Sequence, residues 1–310
     1  LELNRHVPWA GRPRDLDVAG PQNGSELPGS RRPDYVNTQR REKLMMRIAS
    51  TRKALLGLGV MGLLAGLPAA ATATPTVTLK AAAVPIPVNL SNPHSANYPG
   101  TGDILGAGAA LEVEIGIHGS EYGGSPSPIT QIKTYAPTGV KLNTKGFATC
   151  SEAVIKEKGP SGCPKKSFAS PLGEAQGHVS FGSERVYEKL TVQGFFAPGG
   201  GLLFFADGTS PASIELISTG AITNGGGAFG PVVTAEVPLV ESVPGALDGS
   251  AEFIKVKVGA AYKKGKKLIS YGTVPNKCPA GGFPLKVEVK FLSGEVVPAE
   301  YKAPCPKHKK

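Results

Sequence analysis

Tryptophan and aspartate are scarce in this chain. The single Trp is Trp9, and beyond residue 73 Asp occurs only at 103, 207 and 248. The first absence removes the flat indole rings that carbohydrate sites often use; the second leaves few carboxylates to orient a catalytic base. None of the four cysteines forms a C-x-x-C pair, and zinc sites need close Cys/His pairs. The G-x-S-x-G elbow of the serine hydrolases and the H-E-x-x-H helix of the zinc proteases are also missing. Charged residues make up 19% of the chain, against a usual quarter. No apolar run reaches the roughly 20 residues that span a bilayer as a helix. Strong charge of one sign is absent too. Of 34 basic and 24 acidic residues, 11 and 6 lie at or before Lys53, leaving 23 and 18 beyond it, a net of +5. That balance is too even for the dense basic stripe of a nucleic-acid binder.

The longest apolar run that does occur is informative. Arg47, Arg52 and Lys53 precede residues 54–67 (ALLGLGVMGLLAGL), and Pro68 and Ala69-Ala70-Ala71-Thr72-Ala73 follow. A positive region, a short apolar region and an A-x-A site, in that order, predict a secretory signal peptide over 45–73. Cleavage is expected after Ala73, with Ala71 as the alternative site. The competing reading is an uncleaved anchor, since no charge lies between Lys53 and Lys80. Residues 1–44 begin at Leu1, hold no Met before Met45, and are rich in Arg, Pro, Gly and Asp. Such a composition buries too little apolar surface to fold. The expectation is a disordered or non-native extension over 1–44, a start at Met45 or Met46, and a secreted domain over 74–310. The terminal Lys307-His308-Lys309-Lys310 has no apolar tail, so no membrane association is expected once the leader is removed.

The secreted part reads as strands punctuated by turns. Residues 111–117 alternate apolar with polar or small side chains, as a half-buried strand does. Further strands are expected at 129–135, 177–181, 186–196, 202–205, 214–217, 232–240, 253–262 and 268–271. Residues 285–291 and 296–301 predict a hairpin around Ser293-Gly294. One helix is expected at about 149–158, with Thr149 as N-cap and Glu152 completing a capping box; Gly159-Pro160 stops it. Many short strands and one short helix predict an all-β fold, an antiparallel β-sandwich.

An even cysteine count behind an export signal favours disulfides. Three connectivities exist for Cys150, Cys163, Cys278 and Cys305. Pairing Cys150 with Cys163 and Cys278 with Cys305 closes the shortest loops and brackets the helix and the final hairpin. No metal or cofactor is expected.

Most motif matches fail on context. Gly57-x-Gly59-x-x-Gly62 has the glycines of a dinucleotide fingerprint, but they sit inside the export signal, without the strand before them or the acid about 20 residues on. Gly259 to Gly265-Lys266 resembles a phosphate loop, yet has five intervening residues and Lys267 where Ser or Thr is needed. Lys263, Lys264, Lys266 and Lys267 read instead as a hairpin loop, either a solvated loop or a contact for an anionic wall polymer. The runs Gly199-Gly200-Gly201 and Gly225-Gly226-Gly227 read as turns. His118-Gly119-Ser120 is the nearest approach to a nucleophile neighbourhood, and Glu112 and Glu114 read as solvent-facing neighbours on one strand. Without Trp, a sugar platform falls to tyrosine, and Tyr122, in Ser120-Glu121-Tyr122-Gly123-Gly124, is expected in an exposed loop.

The strings ATCSEAVI…GPSGCP, FFAPGGGLLFF, GPVVTAEVPLVESVPGA and YKAPCP lie within residues 148–306. In them the chain resembles an uncharacterised family of exported proteins from high-GC Gram-positive bacteria (actinobacteria). The resemblance implies export and a shared structure, and transfers no catalytic residue. Three readings follow: a secreted or envelope-associated β protein of structural or binding role, a binder of glycan or cell-wall polymer through Tyr122 or the lysine loop, and a hydrolase of unfamiliar type.

Overall fold

Strand alternation decides the architecture. In the computed structural model, which describes residues 74–306 other than 93 and 242, the expected leader, the extension before it and the last four residues lie outside the described part. The strands are β1 (Thr76–Val84), β2 (Ala110–His118), β3 (Ile129–Pro137) and β4 (Lys141–Leu142). The one α-helix, α1 (Glu152–Lys158), follows. Then come β5 (Gly173–Phe181), β6 (Glu184–Phe196), β7 (Leu202–Gly208), β8 (Ile214–Asn224) and β9 (Phe229–Glu236). The last group is β10 (Ser250–Val258), β11 (Ala261–Lys264), β12 (Lys267–Ser270), β13 (Gly272–Thr273), β14 (Phe283–Phe291) and β15 (Val296–Ala303).

Eleven of these form one sheet in the order β1-β2-β10-β5-β6-β7-β8-β9-β3-β14-β15, and every pairing in it is antiparallel. The sheet rolls until its two ends, β1 and β15, lie side by side. The all-β, antiparallel expectation with one short helix holds. The two facing layers expected of a sandwich are the opposite walls of this single, nearly closed sheet. The register β1–β2–β10 puts Lys80 and Lys255 on either side of Glu114.

The period of two then sorts side chains by wall. On β2, Val113, Ile115 and Ile117 are buried inside, while Glu112 and Glu114 face out. Glu114 meets Lys80 at 2.9 Å and Lys255 at 3.4 Å, and Glu112 meets Lys257 at 3.5 Å. These are cross-strand pairs. Hydrogen bonding to Lys80 holds the Glu114 carboxyl below its ordinary range. A second outward cluster joins β3 and β14: Glu288 accepts from Tyr135 at 2.7 Å and pairs with Lys286 at 2.7 Å. That hydrogen bond, with burial, pushes the Tyr135 phenol up to about 12.

Inside, Ile117, Val287, Val289 and Phe291 pack one side of the barrel solid. Outside, α1 and the segment after it cover β6 and β7: Cys150, Ile155, Cys163 and Phe168 pack on Phe195, Leu203 and Phe205. The helix begins later than the capping box predicts. Cys150 donates its N–H to the Phe196 carbonyl at 2.8 Å, which ties the chain to β6. Ser151, in extended conformation, is the N-cap in place of Thr149, and its hydroxyl accepts from the Val154 N–H. Both disulfides pair as expected, Cys150 with Cys163 (Cα–Cα 5.4 Å) and Cys278 with Cys305 (5.9 Å).

Candidate functional site

Eight strands close a barrel just wide enough for side chains to fill, and larger barrels enclose cavities. Eleven strands therefore need large inward residues to fill the interior, and toward β5–β9 they do not have them. Ala175, Gly177, Ala206 and Ala235 point inward there, and a cavity of about 320 Å³ remains. Its wall is otherwise mostly apolar, with Leu190, Leu216, Val233 and Ile254 among the lining residues beside Phe204, and with Thr134 and Ser218 as hydroxyl residues.

The two ends of this lumen differ. One is plugged by aromatics from three segments. Tyr271 lies 4.7 Å, centre to centre, from Phe196, which lies 4.8 Å from Phe147. Burial pushes the Tyr271 phenol up to about 12. At the other end Val240, from the connection between β9 and β10, packs against Val179, Ala212 and Ile214.

One acidic side chain lines the lumen near that second end. Glu188 is 1% exposed. It sits on β6 in the same inward row as Leu190 and Val192, opposite Gly177 in the β5–β6 ladder. Its Oε2 accepts the Ala212 N–H at 3.0 Å. Its Oε1 is buried and has no hydrogen-bond partner among the described residues. Room for that oxygen comes from Gly208 on β7, where a Cβ would stand 2.9 Å from it. An unpaired buried polar atom costs roughly 1–3 kcal/mol, which an Ala212 contact alone does not require. The residues around Glu188 carry the signal: in Val186-Tyr187-Glu188-Lys189-Leu190-Thr191-Val192, strict alternation places the carboxylate on the apolar face.

The outer wall near the same end holds a half-buried cation. Arg185 donates to Ser180 Oγ at 2.8 Å, the Asp248 carbonyl at 3.0 Å and Ser250 Oγ at 2.6 Å. Burial pulls its basicity below the ordinary range, and neighbouring Tyr122 and Glu252 partly offset this. The guanidinium stands 5.8 Å from the centre of the Tyr122 ring. Tyr122 itself is half-buried, bridged to Ser125, and its hydroxyl accepts from the Asp248 N–H at 3.3 Å. The residue proposed as an open platform is thus engaged on one ring face and at its hydroxyl.

The lysines lie elsewhere. β11 and β12 form a two-residue hairpin with Gly265 at φ +60°, the left-handed geometry that tight hairpin turns favour. Lys263, Lys264, Lys266 and Lys267 are all exposed on it. Tyr122 belongs with the Ser250 end of β10 and the hairpin follows its Val258 end, so the structure does not bring these two candidates together. A nine-residue strand separates them, roughly 26 Å of chain. His118 ends β2, exposed and in register with Thr76. His178 pairs with Glu252 at 2.9 Å on the outer wall, and no group of three or more His, Cys, Asp or Glu fit to hold a metal occurs among the described residues. No helix among them is long and apolar enough to cross a membrane.

No family model matches this chain, and no curated protein or solved structure matches it either.

Proposed function

We propose that this chain is an exported, non-enzymatic binding protein that holds one apolar small molecule in the lumen of its rolled sheet. The observation that carries the reading is the mostly apolar cavity of about 320 Å³, which falls in the roughly 300–1,000 Å³ range of small-molecule sites. Charge placement supports an aqueous setting for the outside of the barrel. Glu112, Glu114, Lys80, Lys255 and Lys257 point outward while aliphatic residues point inward, the reverse of a membrane barrel. The leader pattern and the two disulfides support export and an extracellular or envelope location.

The test is displacement of a dodecyl-linked fluorophore from the disulfide-intact protein after lipid extraction. Saturable, one-to-one binding that an unlabelled apolar chain competes away is the expected result. Absence of saturable binding overturns the reading. A second reading, contact with an anionic wall polymer, is favoured by the four exposed lysines of the β11–β12 hairpin. It uses a different surface, so the two readings are independent.

A further inference from the structure

We infer that the lumen selects an amphiphile whose apolar chain ends in a hydrogen-bond donor, a hydroxyl or amide N–H, and that Glu188 Oε1 is the acceptor which reads it. This rests on the lumen being the binding site. Three observations meet at one atom. Glu188 is 1% exposed and lines the cavity. Its Oε2 is committed to the Ala212 N–H at 3.0 Å, and its Oε1 is buried without a partner among the described residues. Gly208, an inward neighbour on β7, has no side chain to cover the carboxylate, and a Cβ there would stand 2.9 Å from Oε1.

The chemistry then discriminates by head group. A hydroxyl arriving at Oε1 supplies the missing donor and leaves no buried group unpaired. A carboxylate on the same chain brings a second acceptor beside the first, in surroundings where an unmatched polar group is strongly disfavoured. Sites built to hydrogen-bond a ligand group reject analogues without it by large factors.

Substitution Glu188→Gln sharpens the argument. The Ala212 N–H requires an oxygen, so the Gln carboxamide must turn its oxygen to Ala212 and its NH2 toward the lumen. The lumen then presents donors where it presented an acceptor, and the preference inverts. A purely structural role for Glu188, holding the Ala212 loop, produces no such inversion, because Gln keeps that bond.

The experiment is competition by 1-dodecanol and by dodecanoate at neutral pH against the dodecyl-linked fluorophore, in the parent full chain and in Glu188→Gln. The expected result is a preference of about tenfold or more for the alcohol in the parent, and a shift toward dodecanoate in the variant. Equal competition by both heads, or tighter dodecanoate in the parent, overturns the assignment of Glu188 while leaving the lumen reading intact. An unchanged preference in the variant overturns it as well. Failure of both compounds to compete overturns the lumen reading itself, and this inference with it.

Discussion

Filling the lumen should stabilise the protein and empty it of ligand at the same time. Ala235 on β9 faces inward between Gly220 and Ile132 in the two flanking ladders. It lines the cavity yet is not fully buried, so its methyl group looks onto open space. Ala235→Leu adds three carbons. At about 0.8 kcal/mol for each buried methylene, burial contributes up to ~2.4 kcal/mol. Fixing the new rotamer costs about 0.5–1 kcal/mol. The net expected gain is ~1.5 kcal/mol, which for a domain of this size is a rise in Tm of roughly 3–6 °C. Urea unfolding is the assay, with an unchanged m-value showing that only stability has moved. Affinity for the dodecyl probe should fall in parallel. A well-packed interior behaves oppositely, because an inserted side chain there costs about 1–3 kcal/mol in strain. A loss of stability with probe binding unaltered would refute the reasoning, since it would mean that no usable space lies inside the sheet.

Removing the Cys278–Cys305 bridge, which spans 27 residues, should lower stability by roughly 3.6 kcal/mol on the chain-entropy account, and removing Cys150–Cys163 by roughly 3 kcal/mol. Non-reducing urea titrations of the paired Cys→Ser variants check both. Tyr135 and Tyr271 should ionise late, at about 12, against about 10 in the unfolded chain. Both folded pKa values are raised, so their stabilisation is complete below pH 10 and is lost as pH climbs from 10 through 12. Phenolate absorbance of the folded protein should show two late groups, and Tyr135→Phe should remove one of them. If all the tyrosines titrate together near 10, the assignment fails. Replacing Lys263, Lys264, Lys266 and Lys267 by Gln should abolish any salt-sensitive retention on purified cell wall; retention that survives the change excludes the hairpin as the contact.

Local chemistry was legible in the sequence, and closure was not. β2, β14 and β15 announce themselves because one face of each is buried and the other wet, which writes a period of two into the residues. The disulfides follow from short loop closures. Errors arise where a distant partner decides. β1 (TVTLKAAAV) alternates polar with apolar residues only over 76–81 and then runs into three alanines, directly after the expected leader, so it does not stand out as a strand. Only β2 on one flank and β15 on the other make it a wall. Residues 253–262 read as one strand in the sequence. They divide into β10 and β11 at Gly259, where a Cβ would stand 2.4 Å from Ala110 Cα, and whose N–H goes to Ala169. Of the candidate site, the inward Glu188 was readable from alternation alone. The lumen was not, because inward alanines leave a void only once the number of strands around them is known.

The β1–β15 seam sets when and how such an interior is enclosed. Among the described residues no backbone ladder joins these two strands, although more than 200 positions separate them in sequence. Contacts of such long range are slow to form, because the loop they close costs entropy before any contact offsets it. Parting that seam would spare every ladder in the wall, so the cost of opening the sheet there falls on the packing of Leu79, Ala81 and their neighbours rather than on any strand pairing.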